Sequence, residues 1–136
     1  MATPLKLDIV TPDALVWSGE AIGIIVRTTE GDLGILANHE PVMAALAPHG
    51  AEITKLDGTR EIVAVEGGFV SVVDNEVSLL SDYAALATEL DLTLARNSLA
   101  EVEAGMVDGG TFEQQATRDR YLARVRAAEK HAELGL

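Results

Sequence analysis

The chain has 136 residues, enough for one domain of ordinary size or for a small domain with an appendage. Hydrophobic residues make up 48% of it and aromatic residues only 4%, so the core must be built from Val, Ile, Leu and Ala. A net charge of −12 argues against nucleic-acid binding, which needs clustered Lys and Arg, and the lack of cysteine excludes disulfides, thiol catalysis and Cys-based zinc sites.

The N-terminal stretch MATPLKLDIV has no basic segment followed by an apolar leader, and no apolar run approaches the roughly 18 residues of a membrane span. No direct membrane insertion is expected. Up to residue 87 the pattern is short and strand-like: LKLDIV (5–10), ALVWS (14–18), AIGIIVRT (21–28), AEITKL (51–56), EIVAVE (61–66), FVSVV (69–73) and EVSLLS (76–81). β-Branched residues dominate these runs, and turn formers interrupt them every eight to ten positions. Asp57-Gly58 and Asp74-Asn75 read as hairpin turns, because Asp, Asn and Gly tolerate positive φ. Gly67-Gly68 reads as a bulge or tight connection, and Trp17 as a core or rim anchor. The segment EGDLGILANHEP (30–41) is read as a firm exposed loop, anchored by Leu33, Ile35 and Leu36 and presenting Glu30, Asp32 and His39.

After residue 87 the apolar period changes to about three and a half. Thr88 with Asp91 reads as a helix N-terminal cap with an acid in the first turn, and Thr111 with Gln114 as a capping box. Leu92, Ala95, Leu99, Val102 and Met106 form one apolar seam; Tyr121, Val125, Ala128 and Ala132 form a second. Gly109-Gly110 between them lets the chain reverse, which predicts an antiparallel hairpin. The fold class is therefore α+β: an N-terminal antiparallel β-sandwich over residues 1–87, then a C-terminal antiparallel α-helical hairpin over 88–136. Residues 1–87 carry four basic residues against 13 acids; residues 88–136 carry six against nine, and five of those six lie between Arg118 and Lys130. The last helix is the one locally basic surface. Arg120 and Arg124, at i and i+4, share a face and repel, so they call for an anionic partner or for acids and local pairs such as Arg126 with Glu129.

No phosphate loop, dinucleotide fingerprint, nucleophile elbow or H-E-x-x-H motif is present, and His39, His49 and His131 share no metal-ligand spacing. Glu101 and Glu103 point to different helix faces and read as solvated. A non-catalytic protein with no metal or cofactor is expected.

The blocks TPDALVWSGEA, EGDLGILANHEPVMAAL and GGFVSVVDNEVSLLSD closely resemble the epsilon-subunit family of bacterial F-type ATP synthase, counterpart of the mitochondrial delta subunit. The resemblance covers nearly the whole chain. It implies a sandwich of about ten strands followed by a helical hairpin, the division that periodicity gives independently. It further implies a rotor component of the central stalk, bound to the gamma subunit and the c-subunit ring. The helices would reach the alpha and beta subunits and restrain ATP hydrolysis. The location would be the cytoplasmic face of the plasma membrane, peripheral to it. In that family the loop matching Glu30 to Pro41 faces the c-ring and gamma, which makes Glu30, Asp32 and His39 interface residues by resemblance. Where relatives have Pro-Gly before the histidine this chain has Ala37-Asn38; Asn can hold the left-handed conformation of such a turn.

Some members of the family bind ATP through an I/L-D-x-x-R-A motif in the first helix and two arginines in the second. The first motif reads LDLTLA here: Asp91 and Ala95 match, but Leu94 stands at the arginine position, while Arg120 and Arg124 match the second-helix pair. Losing one guanidinium removes about 1.5 to 3 kcal/mol of contact, so ATP binding is expected to be weak or absent. The competing reading is a free-standing sandwich-and-hairpin module that binds a nucleotide or small anion at Arg120 and Arg124.

Overall fold

Alternating burial sets in with the first strand, β1 (Leu5–Val10), where Leu5, Leu7 and Ile9 are buried and Lys6 is exposed. The computed structural model describes residues 3–136. After β1 come β2 (Leu15–Thr28), β3 (Gly31–Leu36), β4 (Val42–Leu46), β5 (His49–Lys55), β6 (Arg60–Val65), β7 (Gly68–Val73), β8 (Glu76–Leu80) and β9 (Ala84–Leu86). A 3-10 turn at Ala87–Glu89 leads to helices α1 (Leu92–Ala104) and α2 (Phe112–Glu133).

The runs ALVWS and AIGIIVRT are one strand rather than two, because β2 belongs to both layers of the sandwich. Its N-terminal half pairs with β1; its C-terminal half has β3 on one edge and β5 on the other. Ile22 is skipped in the β2–β5 register, and such an extra residue bends a strand and strengthens its twist. One layer continues through β1, β8, β7 and β4, the other through β5, β6 and β9. β1 and β8 run parallel while the remaining pairs are antiparallel, so the all-antiparallel expectation is corrected at that one ladder. β3, β4 and β9 fall outside the strands read from sequence. β3 carries two glycines, β4 has two alanines and one methionine in five residues, and β9 has three residues; none shows the β-branched signature. Asp74 (φ 49°) and Asn75 (φ 63°) form the expected left-handed β7–β8 turn. Gly68 is more than a loose connection: at φ 94° a Cβ there would lie 1.8 Å from the Leu80 carbonyl oxygen. Trp17 is a rim anchor, half-buried with its indole N–H donating to Glu61 at 2.8 Å.

Between the layers Leu7, Ile9, Val26, Ile35, Ile53, Val63, Val65, Val70, Val72 and Leu79 form an aliphatic core. β6 is buried on both faces. Val63 and Val65 point into this core, whereas Ile62 and Ala64 join a second cluster with Ala87, Ala123 and Ala127 beneath α2. That double cover makes EIVAVE read as a nearly continuous apolar run.

The hairpin forms as the period predicts, with two adjustments. Asp91 is itself the N-cap of α1, accepting from the Leu94 N–H at 2.9 Å, and Thr88 lies in the 3-10 turn before it. The Thr111–Gln114 capping box is present, with Gln114 N–H on Thr111 Oγ1 at 3.1 Å and Thr111 N–H on Gln114 Oε1 at 2.9 Å. α2 has two apolar faces. Ala123 and Ala127 lie on the sandwich, Val125 and Ala128 are buried outside that cluster, and Ala132 is exposed. α1 packs on α2 rather than on the strands.

The approach of α2 is fixed by glycine and alanine. A Cβ on Gly50 would come within 2.7 Å of the Ala127 Cα and 3.0 Å of Ile62 Cγ2. Gly50→Ala is therefore expected to lift α2 while leaving the sandwich core intact. The check is proteolytic cleavage within 112–133 at least ten-fold faster than in the parent, with the sandwich resistant in both.

His49, also beneath α2, is 3% exposed; its Nδ1 lies 2.6 Å from the Ala47 carbonyl oxygen, and its Nε2 is buried without a protein partner. Burial holds its pKa at about 4, reinforced by Lys130 and Arg27 and opposed by the Ala47 hydrogen bond and Asp32. Above the ordinary value of 6.5 the ring is neutral folded or unfolded, and pH has no leverage through it. Between 6.5 and about 4 only the unfolded chain takes the proton, so stability falls as pH falls, by at most about 3 kcal/mol. Melting curves of the parent and of His49→Asn should diverge across that window, with the variant showing the flatter profile.

Candidate interaction surfaces

The segment read as one loop is mostly strand. β3 occupies its first half and pairs with β2 from Thr28↔Gly31 to Gly23↔Leu36, leaving residues 37–41 as the loop. Glu30 and His39 consequently sit at opposite ends of a six-residue strand, about 20 Å apart along it. Glu30 lies in the tight turn into β3, where its N–H donates to Thr28 Oγ1 at 3.1 Å. Asp32 faces Arg27 across the β2–β3 ladder at 3.0 Å, and both side chains are largely exposed. At the far end Asn38 takes the left-handed conformation, φ 65°, and its N–H donates to the Asn75 side-chain oxygen at 2.6 Å. The loop is thus tied to the β7–β8 turn, and the His39 N–H donates to the Leu36 carbonyl at 3.2 Å. Leu33 and Ile35 anchor the segment as expected. Leu36 does not: it is 64% exposed, lying over Gly23 on the outer face.

Sequence reasoning missed a second surface. On the outer face of the β1–β8–β7–β4 layer, one cross-strand row reads Asp8, Ser78, Ser71, Met43 and the next Val10, Leu80, Phe69, Ala45. Met43 is 73% exposed, Phe69 54% and Leu80 51%. Serines and alanine between them keep the face flat, and among the described residues no element covers it. Its signal was available in FVSVV and EVSLL, where Phe69, Val73 and Leu80 break the alternation by placing apolar residues on the outward parity.

The basic helix is the third surface, and the sandwich and α1 already engage it. Arg120 Nη2 is 3.5 Å from Glu66 Oε2, and its guanidinium lies 4.9 Å from the centre of the Tyr83 ring. Arg124 stands 6.0 Å from Tyr83 and 5.6 Å from Tyr121. Arg126 donates to the Pro48 carbonyl at 2.7 Å, Lys130 is 3.9 Å from Glu52, and Arg118 binds Glu103 of α1 at 3.1 Å. Glu129, the expected local partner of Arg126, pairs instead with Arg96 of α1 at 3.9 Å. Burial raises the pKa of Glu66 against the pull of Arg120, and burial likewise raises that of Tyr83 against Arg124 and Arg120. The structure does not assemble Asp91 and Ala95 with the two arginines into one polar site. Asp91 spends its carboxylate on the cap of α1, Ala95 is buried, and Leu94, at the motif arginine position, is 65% exposed.

Among the described residues no group of three His, Cys, Asp or Glu side chains converges as a metal would need, and no helix is long and apolar enough to cross a membrane.

A family model for the ATP synthase delta/epsilon chain beta-sandwich domain matches residues 4–87. An ATP synthase epsilon chain of Cutibacterium acnes is 48% identical over 94 residues, 68% of this chain and 64% of the relative. An epsilon chain of Streptomyces avermitilis is 40% identical over 104 residues, 76% of this chain and 84% of the relative. Among solved structures, the Euglena gracilis mitochondrial ATP synthase (OSCP/F1/c-ring, rotational state 1) contains a chain similar in fold. Its TM-score is 0.75 at 24% identity, over 95% of this chain and 81% of that one. The central stalk/c-ring structure from Tetrahymena thermophila gives a TM-score of 0.61 at 18% identity, over 95% and 96%. The sandwich with its closing 3-10 turn, the matched residues 4–87 and the identities to epsilon chains together establish that the chain belongs to the ATP synthase delta/epsilon-chain family, as an epsilon-type member.

Proposed function

We propose that this chain is a rotor subunit of the central stalk, holding gamma to the c-subunit ring and restraining ATP hydrolysis through its C-terminal helices, without itself being catalytic. The observation that carries the reading is the flat apolar face around Met43, Phe69 and Leu80. A contiguous exposed face of this kind is typical of a protein interface. Gamma is its proposed occupant. Fully burying a large apolar side chain contributes roughly 1.5 to 3 kcal/mol, so covering these three exposed residues would add a few kcal/mol to docking. His39, in the loop braced by Asn38 and Asn75, is proposed to meet the c-ring. Glu30 and Asp32, at the other end of β3, would make a separate contact with the ring or gamma. The location follows from that assembly: peripheral, on the cytoplasmic face of the plasma membrane.

The helices are proposed to be movable because α1 packs mainly on α2 and α2 rests on the sandwich largely through alanines. Alanine burial stabilises far less than burial of Leu or Ile, so docking is a small net difference that a competing surface can reverse. The basic residues of α2 would then exchange their present partners for acidic segments of the beta and alpha subunits. Charges at such a rim would govern encounter and register more than affinity.

Phe69→Glu and Met43→Glu replace exposed side chains, so each variant should fold, and each should lose at least 90% of its recovery with gamma when the complex is purified from membranes. Full recovery of both would exclude this face as the docking surface. A chain ending at residue 87 should still be recovered with gamma, while the assembled enzyme hydrolyses ATP several-fold faster than with the full chain. Unchanged hydrolysis would remove the regulatory half of the proposal.

A further inference from the structure

Arg120 and Arg124 are one turn apart on one face of α2, a like-charge pair that destabilises a helix unless something offsets it. The offset comes from the sandwich. Glu66 follows β6 directly, and its N–H donates to the Tyr83 carbonyl at 3.1 Å, beside the Val65↔Ala84 pair of the β6–β9 ladder. This places a carboxylate and an aromatic ring side by side on a rigid edge. The Glu66 side chain is only 11% exposed where it meets Arg120. The Tyr83 ring receives both guanidiniums, and Tyr121 flanks Arg124. Cations held against ring faces in a partly desolvated setting are attracted more strongly than exposed ones.

We infer that Glu66 and Tyr83 form an internal latch that supplies the anion and the ring faces these two arginines demand, so that the hairpin docks without a nucleotide or any other external anion. This deepens the regulatory reading above and rests on the hairpin being movable. The latch is also incomplete. Arg124 Nε is buried with no hydrogen-bond acceptor, because ring faces take its charge but not its N–H, and Glu66 Oε2 meets Arg120 as an ion pair at 3.5 Å without a hydrogen bond. An acidic partner that offers a carboxylate to Arg124 satisfies what the docked state leaves unmet, which gives the closed form a built-in route to opening.

The natural chain has no cysteine, so Ala64→Cys places a single thiol on β6 beneath α2, where the native residue is fully buried. In this background the rate of thiol labelling reports how often the hairpin lifts from the full-length chain. Glu66→Gln and Tyr83→Leu should each raise that rate at least five-fold. Tyr83→Phe, which keeps the ring, should leave it within two-fold of the parent, and saturating Mg-ATP should not slow the parent. Labelling within two-fold of the parent in both Glu66→Gln and Tyr83→Leu overturns the latch. A five-fold slowing of the parent by Mg-ATP overturns its independence from anions. If Tyr83→Leu does not fold, Glu66→Gln alone decides, since it preserves shape and removes only charge. Recovery of each variant with gamma is read in parallel: failure there counts against the rotor reading, while the labelling rates judge the latch.

Discussion

Gly50 and Ala127 lie so close that not even a methyl group fits between β5 and α2, and the position of everything C-terminal to the strands depends on that approach. The sandwich would exist without it, because its core of Val, Ile and Leu is closed by the two layers alone. The hairpin would not be where it is. α1 has α2 as its support, and α2 is seated through Ala123 and Ala127 on Ile62, Ala64 and Ala87. A small-residue interface gains its contact from proximity rather than from side-chain volume, so it tolerates little intrusion yet releases little when it opens.

Polar interactions surround this seat and adjust it. Arg120, Arg126 and Lys130 reach three separate parts of the sandwich, the end of β6, the Pro48 carbonyl before β5 and Glu52 within it. An acidic chain of net charge −12 thereby uses much of its limited basic charge to fasten one helix to its own strands. Exposed ion pairs contribute only about 0 to 1 kcal/mol each, so they tune a contact that packing has already placed. His49 beneath the same helix acts in the opposite sense, since its Nε2 is buried without a partner.

Most of the fold was legible in the sequence because periodicity and turn chemistry agreed with it: the hairpin turn at Asp74-Asn75, the Thr111–Gln114 box and both helices follow from local pattern. What escaped was set by neighbours distant in the chain. Gly31 to Leu36 is a strand because β2 offers it a partner, not because GDLGIL favours extension. Ala123 and Ala127 lie outside the seam of Tyr121, Val125, Ala128 and Ala132, and only the tertiary fold sets Gly50, Ile62 and Ala64 beneath them. Of the candidate site, Arg120 and Arg124 stand out in the sequence as a like-charge pair on one helix face, and Glu30, Asp32 and His39 as polar residues among turn formers. Their partners were not readable, since Glu66 and Tyr83 lie far from the arginines in sequence and meet them only through the β6–β9 ladder. The apolar face was readable in Phe69, Val73 and Leu80 but not in full: Met43 belongs to a strand that lacks strand chemistry, so its row with Ser71 and Ser78 could not be drawn beforehand.

The bent course of β2 carries a mechanical consequence. One continuous strand of 14 residues pairs with β1 in one layer and with β3 and β5 in the other. Two sheets joined only by apolar packing can slide under shear, because dispersion contacts have no fixed register. Here a load applied to one layer reaches the other through peptide bonds and in-register backbone hydrogen bonds. The two layers are therefore coupled through the backbone of a single strand, and a displacement of one is passed to the other covalently.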